Sequence, residues 1–443
     1  MSTTRVPATA RRPAVRAPQP TQPTPLVTAH TPAPQALVRV RRIFRAETAN
    51  YFLVLGTTLF LVIFGLVIVL SSSSVESFVS NHGNPFTDFL RQGMFALIGI
   101  PLMLVASLMP ASFWRRWAWL ALGGAMLMQL LVFTGLGAGN GYNRNWIAIA
   151  GYTFQPSEFI KLTLIVWMAY IFSRKADLLD DWRHALLPVA PVAIVAIGLV
   201  LGGNDIGTAA IILAIVFSVM FYAGMRLRHL LAAVVVVVTL GAGIVFAGSS
   251  RASRIDSWLT GCTSQDVTSQ ACWQPVHGMW GLASGGIFGV GLGNSKMKWS
   301  WLPEADNDFI FAIIGEELGL IGVIVVLALF IVLAIGFVRI ARHAQDDFGR
   351  IIAGGVLVWI IGQALVNIAV VLGLLPVLGV PLPLISAGGS ALITSLLGIG
   401  IVLSFARKPR EPQDAAPRPM RAPRFDSPAE RSRAAARARS VAR

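Results

Sequence analysis

Long runs of apolar residues alternate with short polar segments along most of the chain. A helix needs roughly 20 predominantly apolar residues to cross about 30 Å of hydrocarbon. Ten stretches approach that length, at 50–71, 92–109, 117–136, 157–173, 185–201, 206–222, 229–247, 309–338, 351–373 and 387–405. The pattern therefore predicts an all-α polytopic membrane protein with about ten transmembrane helices.

Basic residues between the stretches predict the orientation, since short cytoplasmic loops carry more Lys and Arg than short outer loops. Arg115, Arg116, Arg174 and Arg226 all fall in alternate segments, on the same side as the two chain ends. Both termini are therefore expected in the cytoplasm. Residues 248–308 then form a large extracytoplasmic loop between spans seven and eight.

The composition agrees with a membrane domain at residues 48–405 between two unusual tails. Residues in the whole chain are 55% hydrophobic and 13% charged, whereas soluble domains carry about 25% charged residues. Residues 1–47 and 406–443 are rich in Pro, Ala and Arg, and hold 8 and 11 of the 36 Lys and Arg. We expect both to be disordered cytoplasmic tails. They lack interleaved aromatics and nucleic-acid motifs, so the anionic inner leaflet or cytoplasmic proteins are expected to bind them, and not nucleic acid.

The only two cysteines, Cys262 and Cys272, both lie in the predicted outer loop. The oxidising side of the membrane favours a local disulfide over two free thiols. Such a bond would be structural. None of the six His falls at ligand spacing near them, so a metal site is not indicated there.

Polar residues that interrupt apolar spans must find partners or line a wet cavity. Pro156 opens a helix with Glu158 in its first turn, and Lys161 lies three residues further on. Two interpretations stay open: a structural ion pair, or a cation placed for an anionic ligand. At the start of the sixth span, N-capping explains Asp205.

Two glycine-containing stretches predict irregular backbone. Residues 281–296, GLASGGIFGVGLGNSK, lack the spacing of a nucleotide loop. Their glycines permit close approach of backbone donors to a ligand such as a sugar or a diphosphate. Residues 374–395 combine three prolines with Ser386, Gly388 and Gly389. Such backbone at membrane depth predicts the re-entrant lip of a cavity.

Carboxylates gather at the start of the eighth span, in LPEADNDFIFAIIGEELGLIG. They are Glu304, Asp306, Asp308, Glu316 and Glu317. Asp308 precedes Phe309 in a setting half wet and half apolar, which makes it a candidate general base. We expect Glu304 and Asp306 to be solvated.

Glu316 and Glu317 lie about two turns deeper in the same span, so one of them needs an interior partner. Lys161 or a helix end is the simplest one. An alternative for the whole cluster is an ion-pair network that holds the helix bundle together.

Several long motifs together resemble the SEDS family (shape, elongation, division and sporulation), whose members polymerise peptidoglycan. The resemblance rests on NRNWIAIAGYTFQPSEFIKL, NDIGTA, the stretch from GLASGGIFGVG to GEELGLIG, and NIAVVLGLLPVLGVPLPLISAGGS, and covers residues 50–405. The PLPLISAGGS stretch and the long basic tails are more similar to the cell-division branch than to the elongation branch.

The resemblance implies a peptidoglycan glycosyltransferase of the bacterial cytoplasmic membrane, acting on its outer face at the division septum. Its substrate would be lipid II, a disaccharide-pentapeptide on undecaprenyl diphosphate. Implied partners are a class B penicillin-binding protein transpeptidase and other division proteins. The family's essential aspartate falls on Asp308, although Asp306 and Asn307 replace its usual His and Thr.

Residue roles follow from the same resemblance. The substrate-binding candidates are Arg144, Glu158, Lys161, Asp205, Lys296, Lys298, Glu304, Ser386, Gly388 and Gly389. Among them, the cations, with a divalent Mg²⁺ or Mn²⁺ as a further candidate, would stabilise the leaving diphosphate. The structural candidates are Glu316, Glu317, Cys262 and Cys272.

Two rival functions stay open. A lipid II flippase would also place ionisable residues and a proline-broken hairpin inside the membrane. However, a flippase needs polar groups through the whole membrane thickness, whereas here they gather at the outer boundary. The third possibility is a division scaffold that recruits a transpeptidase, and this role is compatible with polymerase activity.

Overall fold

The computed structural model describes residues 48–139, 144–149, 151–187, 189–246, 256–262, 271–299 and 301–407, and is dominated by helices. The helices are α1 (Ala49–Ser80), α2 (Thr87–Leu108), α3 (Ala111–Leu131), α4 (Pro156–Arg174), α5 (Trp182–Leu186), α6 (Ala190–Gly202), α7 (Ile206–Tyr222), α8 (Leu227–Phe246), α9 (Trp273–Gly285), α10 (Ile310–Arg342), α11 (Asp347–Leu357), α12 (Gln363–Val371) and α13 (Gly389–Phe405). A π-helical turn, Val358–Gly362, joins α11 to α12, and a 3₁₀ turn, Ala176–Leu178, follows α4.

Every predicted apolar stretch overlaps a helix, but some bounds differ. The predicted stretch 117–136 begins too late, because α3 already starts directly after Pro110 and includes Arg115 and Arg116. The prediction at 185–201 is divided into α5 and α6. Pro191 lies in the first turn of α6, where its missing N–H has no intrahelical acceptor to lose.

Long apolar helices identify an integral membrane protein. Three single helices, α1, α2 and α10, and the continuous helical segment Asp347–Val371 are long and apolar enough to cross a membrane. Shorter apolar helices are α6, α7, α13 and the first part of α8. Many large apolar side chains face outward, for example Leu97, which is 74% exposed. Lipid is the solvent that such a surface requires.

The helices pack in pairs around one continuous apolar core. Most extensive is the packing of α2 against α13, followed by α3 against α4 and α10 against α1. Buried aromatic side chains such as Trp167, Trp359 and Phe337 fill the interior. The three short antiparallel strands β1 (Gly137–Ala138), β2 (Trp146–Ile149) and β3 (Tyr152–Phe154) form a small sheet between α3 and α4.

Helix α10 is broken at Gly319, where φ is +65° and ψ is −164°. The backbone groups around the break pair with the glycine-rich segment, defined here as residues 285–298. Val290 N donates to Glu316 O at 3.0 Å, and Leu320 N donates to Gly286 O at 2.9 Å. Backbone groups at membrane depth need such internal partners, because no water is there to replace them.

Two glycines of this segment approach the backbone of α10. A Cβ atom on Gly285 would lie 2.0 Å from Gly315 O, and one on Gly289 would lie 2.1 Å from Glu317 O. Both positions are too close for any side chain. These two glycines are therefore required by the fold, whereas a Cβ atom on Gly286 or Gly293 would have no atom within 4 Å.

A disulfide joins Cys262 to Cys272, as predicted. Cys272 is buried and directly precedes α9, so the bond anchors the start of that helix. Parts of the predicted outer loop, residues 248–255, 263–270 and 300, lie outside the described residues.

The two predicted tails, apart from residues 406 and 407, also lie outside the described residues. The ends of the described membrane domain nevertheless meet. Thr48 Oγ1 donates to Ala406 O at 2.8 Å, and the Arg407 guanidinium lies 5.4 Å from the ring centroid of Tyr51. The chain therefore enters and leaves the bundle at the same end.

Replacing Gly319 by Ala should destabilise the fold. The substitution places a Cβ in left-handed backbone and 2.4 Å from Gly289 N. We expect a loss of at least about 2 kcal/mol, measured as a lower midpoint of thermal unfolding in detergent. As the matched control, Gly198→Ala lies in α6 with no atom within 4 Å of the new Cβ, and should gain about 0.5–1 kcal/mol. Equal midpoints for the two variants would contradict this account of the break.

Candidate active site

Asp308 lies in the turn that leads into α10 and is half-buried. Its carbonyl oxygen accepts a hydrogen bond from Asn367 Nδ2 at 2.7 Å, and the same amide group donates to Val380 O at 2.8 Å. Asn367 is 1% exposed. One buried side chain of α12 therefore fixes Asp308 relative to the proline-rich segment, defined here as residues 374–388.

The carboxylate of Asp308 faces that segment. A Cβ atom on Gly379 would lie 3.5 Å from Asp308 Oδ2, in ordinary van der Waals contact. Gly379 has a φ of +68°, a conformation that glycine adopts without strain. Gly379 therefore places no side chain against the carboxylate.

The proline-rich segment is irregular and largely packed in protein, a setting in which membrane proteins tolerate such backbone. Ser386 Oγ donates to Asn307 O at 2.7 Å and accepts from Leu382 N at 2.8 Å. Ala387 N donates to Asp306 O at 2.9 Å. The segment thus binds both residues that precede Asp308, and Ser386, predicted to bind substrate, is buried in this structural role.

Gln92 of α2 holds the other end of the segment. Its Nε2 donates to Ser386 O at 3.0 Å, and its Oε1 accepts from Gly388 N at 3.2 Å. Gly389 begins α13, and a Cβ atom on it would lie 2.2 Å from the Phe95 ring. Gly389, predicted to bind substrate, is therefore required for close packing, whereas a Cβ atom on Gly388 would make only an ordinary contact of 3.5 Å with Ala391.

Asp205 caps α7 as predicted, because its Oδ1 accepts from Thr208 N at 2.8 Å. Its Oδ2 accepts from Gln155 Nε2 at 2.9 Å. The cap lies beside the proline-rich segment: a Cβ atom on Gly207 would be 2.2 Å from Leu378 O. Asp205 and Asp308 therefore both lie next to the same stretch of backbone, residues 378–380.

Glu158 and Lys161 form a buried ion pair. Lys161 Nζ lies 2.8 Å from Glu158 Oε1 and donates to Gln363 Oε1 at 2.8 Å, and both charged side chains are at most 2% exposed. Gln363 Nε2 in turn donates to Pro381 O at 2.9 Å. Of the two interpretations left open by the sequence, the geometry favours the structural pair, since neither charge can reach a ligand in this conformation.

Glu316 and Glu317 are buried and do not contact Lys161, so the suggestion of Lys161 as their partner is wrong. Glu316 accepts from Ser295 Oγ and from Lys296 N. Glu317 accepts from Ser71 Oγ at 2.6 Å and lies 3.6 Å from Lys298 Nζ. These bonds fix the glycine-rich segment against α1 and α10, which fits the structural role predicted for both glutamates.

Lys298 also helps to fix the glycine-rich segment. Its side chain is 4% exposed and also donates to Gly293 O at 2.5 Å and to Ser71 O at 3.4 Å. A cation held by a buried carboxylate and two carbonyls is already neutralised inside the protein. The geometry therefore favours a structural role for Lys298, although the sequence analysis placed it among the substrate-binding cations.

Three of the predicted substrate-binding residues, Arg144, Lys296 and Glu304, are exposed at this end. Arg144 N donates to Gly203 O at 3.2 Å, which places the residue at the loop before Asp205. Lys296 N donates to Glu316 Oε1 while its side chain faces outward. Glu304 is solvated as predicted and has a φ of +57°.

Asp306 is only partly accessible, so its predicted solvated position is corrected. Burial, together with the nearby negative charges of Glu76 and Glu304, raises the pKa of Asp306 from 3.8 to about 7. The carboxyl can therefore gain a proton near neutral pH. Among the described residues, no group of three or more His, Cys, Asp or Glu is arranged to hold a metal ion.

An aromatic cluster lies next to Asp308 in the fold. Helix α9 packs against the start of α10, where a Cβ atom on Gly278 would lie 2.9 Å from the Phe309 ring. On the same helix, His277 stacks on Trp273 with 4.3 Å between ring centroids, and Trp301 is parallel to Trp273 within 5°. Trp301 is 54% exposed. Exposed rings of this kind offer flat apolar surface at the rim of the site.

The sequence reasoning missed the amides and hydroxyls that position the site. Gln92, Gln155 and Asn367 each join two elements, and Ser71 meets Glu317 across the bundle. A signal was present, because a neutral amide in an apolar span also requires a partner. The choice of partner, however, depends on which helices are neighbours.

Comparisons with known proteins agree on one family. The sequence profile described as cell cycle protein, for FtsW, RodA and SpoVE, matches residues 51–411. A probable peptidoglycan glycosyltransferase FtsW from Trichlorobacter lovleyi is 38% identical over 369 residues, which cover 83% of this chain and 95% of the relative.

Solved structures give the same result for the fold. A chain of a peptidoglycan synthase complex that coordinates polymerization and crosslinking superposes with a TM-score of 0.63 at 25% identity, covering 79% of this chain and 96% of that one. The rod shape determining protein RodA of Thermus thermophilus gives a TM-score of 0.59 at 24% identity, covering 82% and 97%.

Breaking the buried ion pair should be costly. Lys161→Met leaves Glu158 charged and unpaired, with an expected loss of about 3–5 kcal/mol in the free energy of unfolding. The double variant Lys161→Met, Glu158→Gln should recover most of that loss. Arg91→Met serves as the control, because it breaks an exposed contact of 3.9 Å with Asp88 and should cost less than about 1 kcal/mol. A double variant no more stable than Lys161→Met would disagree with a buried pair.

The raised pKa of Asp306 predicts a pH-dependent stability. Between about pH 4 and pH 7 the folded protein keeps a proton that the unfolded chain releases, so this carboxyl's contribution is largest at low pH and is lost as the pH rises to about 7. Asp306→Asn should therefore raise the unfolding midpoint at pH 8, and the gain should shrink towards pH 5. Asp177→Asn, at an exposed position after α4, should give no such pH dependence. A gain in the unfolding midpoint of Asp306→Asn that does not change with pH would refute the raised pKa of Asp306.

Proposed function

The chain belongs to the cell cycle protein family of FtsW, RodA and SpoVE, and on that premise we propose that it is a peptidoglycan glycosyltransferase that polymerises lipid II during cell division. The family profile covers nearly the whole membrane domain, and the relative from Trichlorobacter lovleyi bears the name of this activity. The observation that supports the activity in this chain is the placement of Asp308. It is a half-buried carboxylate at one end of the bundle, and the residue that it faces, Gly379, carries no side chain.

The proposed topology has ten spans with both termini in the cytoplasm. The contact between Thr48 and Ala406 supports an even number of crossings, because it brings both ends of the domain to one side. Helix α10 begins just after Asp308 and carries Arg339 and Arg342 in its last turn. Arginine at that end and the carboxylate at the other agree with a cytoplasmic side opposite an outer active site.

In this proposal Asp308 is the general base. The glucosamine 4-hydroxyl of one lipid II attacks the muramic anomeric carbon of the growing strand, and the bond to undecaprenyl diphosphate breaks with inversion. The hydroxyl proton passes to the Asp308 carboxylate as the new bond forms. A positioned base contributes about 10²–10⁴-fold to such a step.

The leaving diphosphate needs cations more than it needs an acid. Of the four basic residues predicted for it, Lys161 and Lys298 are held in buried ion pairs. Arg144 and Lys296 are exposed at the same end of the bundle as Asp308. We propose that these two side chains bind the leaving diphosphate. A divalent Mg²⁺ or Mn²⁺ would supply further charge there when bound.

The prenyl chain needs an apolar groove open to lipid. A cavity of about 270 Å³ fits this need, and its lining has no polar surface. The lining residues are Phe60, Ile63, Phe64, Val67, Ile68, Leu292 and Leu318. Because Leu292 belongs to the glycine-rich segment and Leu318 precedes the break in α10, the groove adjoins the outer half of the bundle.

A transpeptidase of the class B penicillin-binding proteins is the proposed partner, at the division septum. The structural neighbour belongs to a complex that coordinates polymerization and crosslinking, which supports this pairing. The flippase alternative is less favoured, since the charges of Glu158, Lys161, Glu317 and Lys298 are fixed in closed pairs. Charged side chains along a transport path would have to leave such pairs in order to contact the substrate.

The decisive test uses the full chain, co-purified with its transpeptidase partner and supplied with labelled lipid II. Asp308→Asn keeps the size and hydrogen bonding of the side chain but removes the base. Formation of long glycan strands should fall by about 10²–10⁴-fold, read as strand length on gels. The unfolding midpoint should stay unchanged.

Asp256→Asn is the matched control, because it neutralises an exposed carboxylate of the outer segment that is not part of the site. It should polymerise at the rate of the unmodified chain. If Asp308→Asn remains active, another residue is the base. If the unmodified complex makes no strands but moves lipid II between leaflets of proteoliposomes, the transporter replaces the polymerase.

A further inference from the structure

A larger cavity, of about 730 Å³, lies at the end of the bundle opposite Asp308. It is formed by the start of α3, the end of α4 and the start of α11. The lining residues are Ser112, Arg115, Arg116, Trp119, Tyr170, Ser173, Arg174, Gln345, Asp346, Asp347 and Phe348. Its volume is within the range of about 300–1,000 Å³ usual for ligand sites, and the proposed transferase reaction makes no use of it.

The charges of this cavity do not cancel. Arg115 forms an ion pair with Asp346, and Asp347 Oδ1 lies 2.9 Å from Arg350 Nη2. Both lining carboxylates therefore already have a cationic partner. The third lining arginine, Arg174, donates to the hydroxyl of Tyr170 at 2.7 Å, which is a neutral acceptor.

Arg116 and Arg174 consequently remain uncompensated within the described part of the chain, where neither has an ion pair with a carboxylate. Arg116 is exposed on the first turns of α3. Two guanidinium groups on the wall of one cavity favour an anion with several oxygens, because each fork can donate two parallel hydrogen bonds to it.

The start of α3 adds a further attraction. Pro110 is the N-cap, and no side chain caps the helix. Phe113 N donates to Pro110 O at 3.0 Å, but the N–H groups of the two residues before it have no intrahelical acceptor, and the helix dipole favours negative charge at this point. Ser112 of that turn lines the cavity, so the end of the helix and the arginines act on the same space.

Aromatic residues at the rim indicate which kind of anion fits. Trp119 lines the cavity and is 55% exposed, and the neighbouring Trp117 is 46% exposed. Tryptophan is enriched where a membrane protein meets the lipid headgroups. A basic pocket between helices at that depth is typical of a site for the headgroup of an anionic lipid.

We propose that this cavity binds the phosphate headgroup of an anionic phospholipid, such as phosphatidylglycerol, from the leaflet at this end of the bundle. The phosphate lies between Arg116 and Arg174, and the acyl chains leave past Trp119 into the bilayer. The bound lipid fills a gap between α3, α4 and α11. The site is independent of the proposed polymerase activity.

Photo-crosslinking tests the site directly. The full chain is placed in phosphatidylcholine nanodiscs with a small fraction of photoreactive phosphatidylglycerol, and cross-linked peptides are mapped by mass spectrometry. Cross-links should concentrate on residues 111–119 and 170–174. Arg116→Gln and Arg174→Gln should each reduce them about fivefold, as expected for a headgroup charge pair worth about 1 kcal/mol. Cross-links to the arginine-rich residues 406–443 serve as an internal reference and should not change.

The matched control is the pair Arg183→Gln and Arg228→Gln, which removes two exposed charges from the same end of the bundle outside the cavity. Its cross-links should change less than about twofold, because distant surface charges are screened. Unfolding midpoints in phosphatidylcholine alone verify folding. Should Arg174→Gln unfold, Arg116→Gln alone serves, since its side chain is exposed.

Three results would overturn the proposal. The first is equal labelling of the cavity by photoreactive phosphatidylcholine, which would show no preference for an anion. The second is an unchanged signal in the cavity variants, or an equal loss in the control pair. The third is displacement by inorganic phosphate at concentrations that leave the tail cross-links intact, which would identify a soluble anion as the occupant.

Discussion

The structure depends on one constraint: polar groups inside a membrane-embedded bundle must be satisfied by other parts of the protein, because no water is available to them. The break of α10 at Gly319 is the main example. It frees backbone groups in the middle of a long apolar helix, and the glycine-rich segment supplies their partners. Close approach of two backbones is possible only because Gly285 and Gly289 carry no side chain.

The same constraint determines where the buried charges go. Glu317 is neutralised by Lys298 and bonded by Ser71, which attaches the glycine-rich segment to α1. Glu158 and Lys161 neutralise each other and reach the proline-rich segment through Gln363. Each pair therefore fixes an irregular segment to regular helices. Ion pairs of this kind specify position more than they add stability.

Asp308 is different because it is positioned mainly through its backbone. Asn367 holds its carbonyl group, and the two residues before it are bound by the proline-rich segment. Its carboxylate faces Gly379, where no side chain occupies the adjoining space. A rigid frame around a half-buried acid is what general-base catalysis requires, since the base must meet the substrate proton without a search for the correct geometry.

Sequence alone determined the properties that depend on local pattern and on the solvent. Apolar runs of spanning length located the helices, Asp205 was identified as a cap, and Cys262 and Cys272 were identified as a pair. These follow from rules that act over a few residues or from the compartment. The catalytic candidate Asp308 came from its place at a hydrophobic boundary and from the family resemblance.

Only the tertiary structure decided which groups are partners. The sequence left Lys161 open between a structural pair with Glu158, an anionic ligand, and Glu316 or Glu317, and the structure pairs it with Glu158 and Gln363. For the glycine-rich segment the sequence indicated approach to a ligand, and the structure shows Gly285 and Gly289 against α10. The physical reason is the same in both cases: a buried charge or an unpaired N–H states only that a partner is needed, and the packing of distant helices determines which partner is within reach.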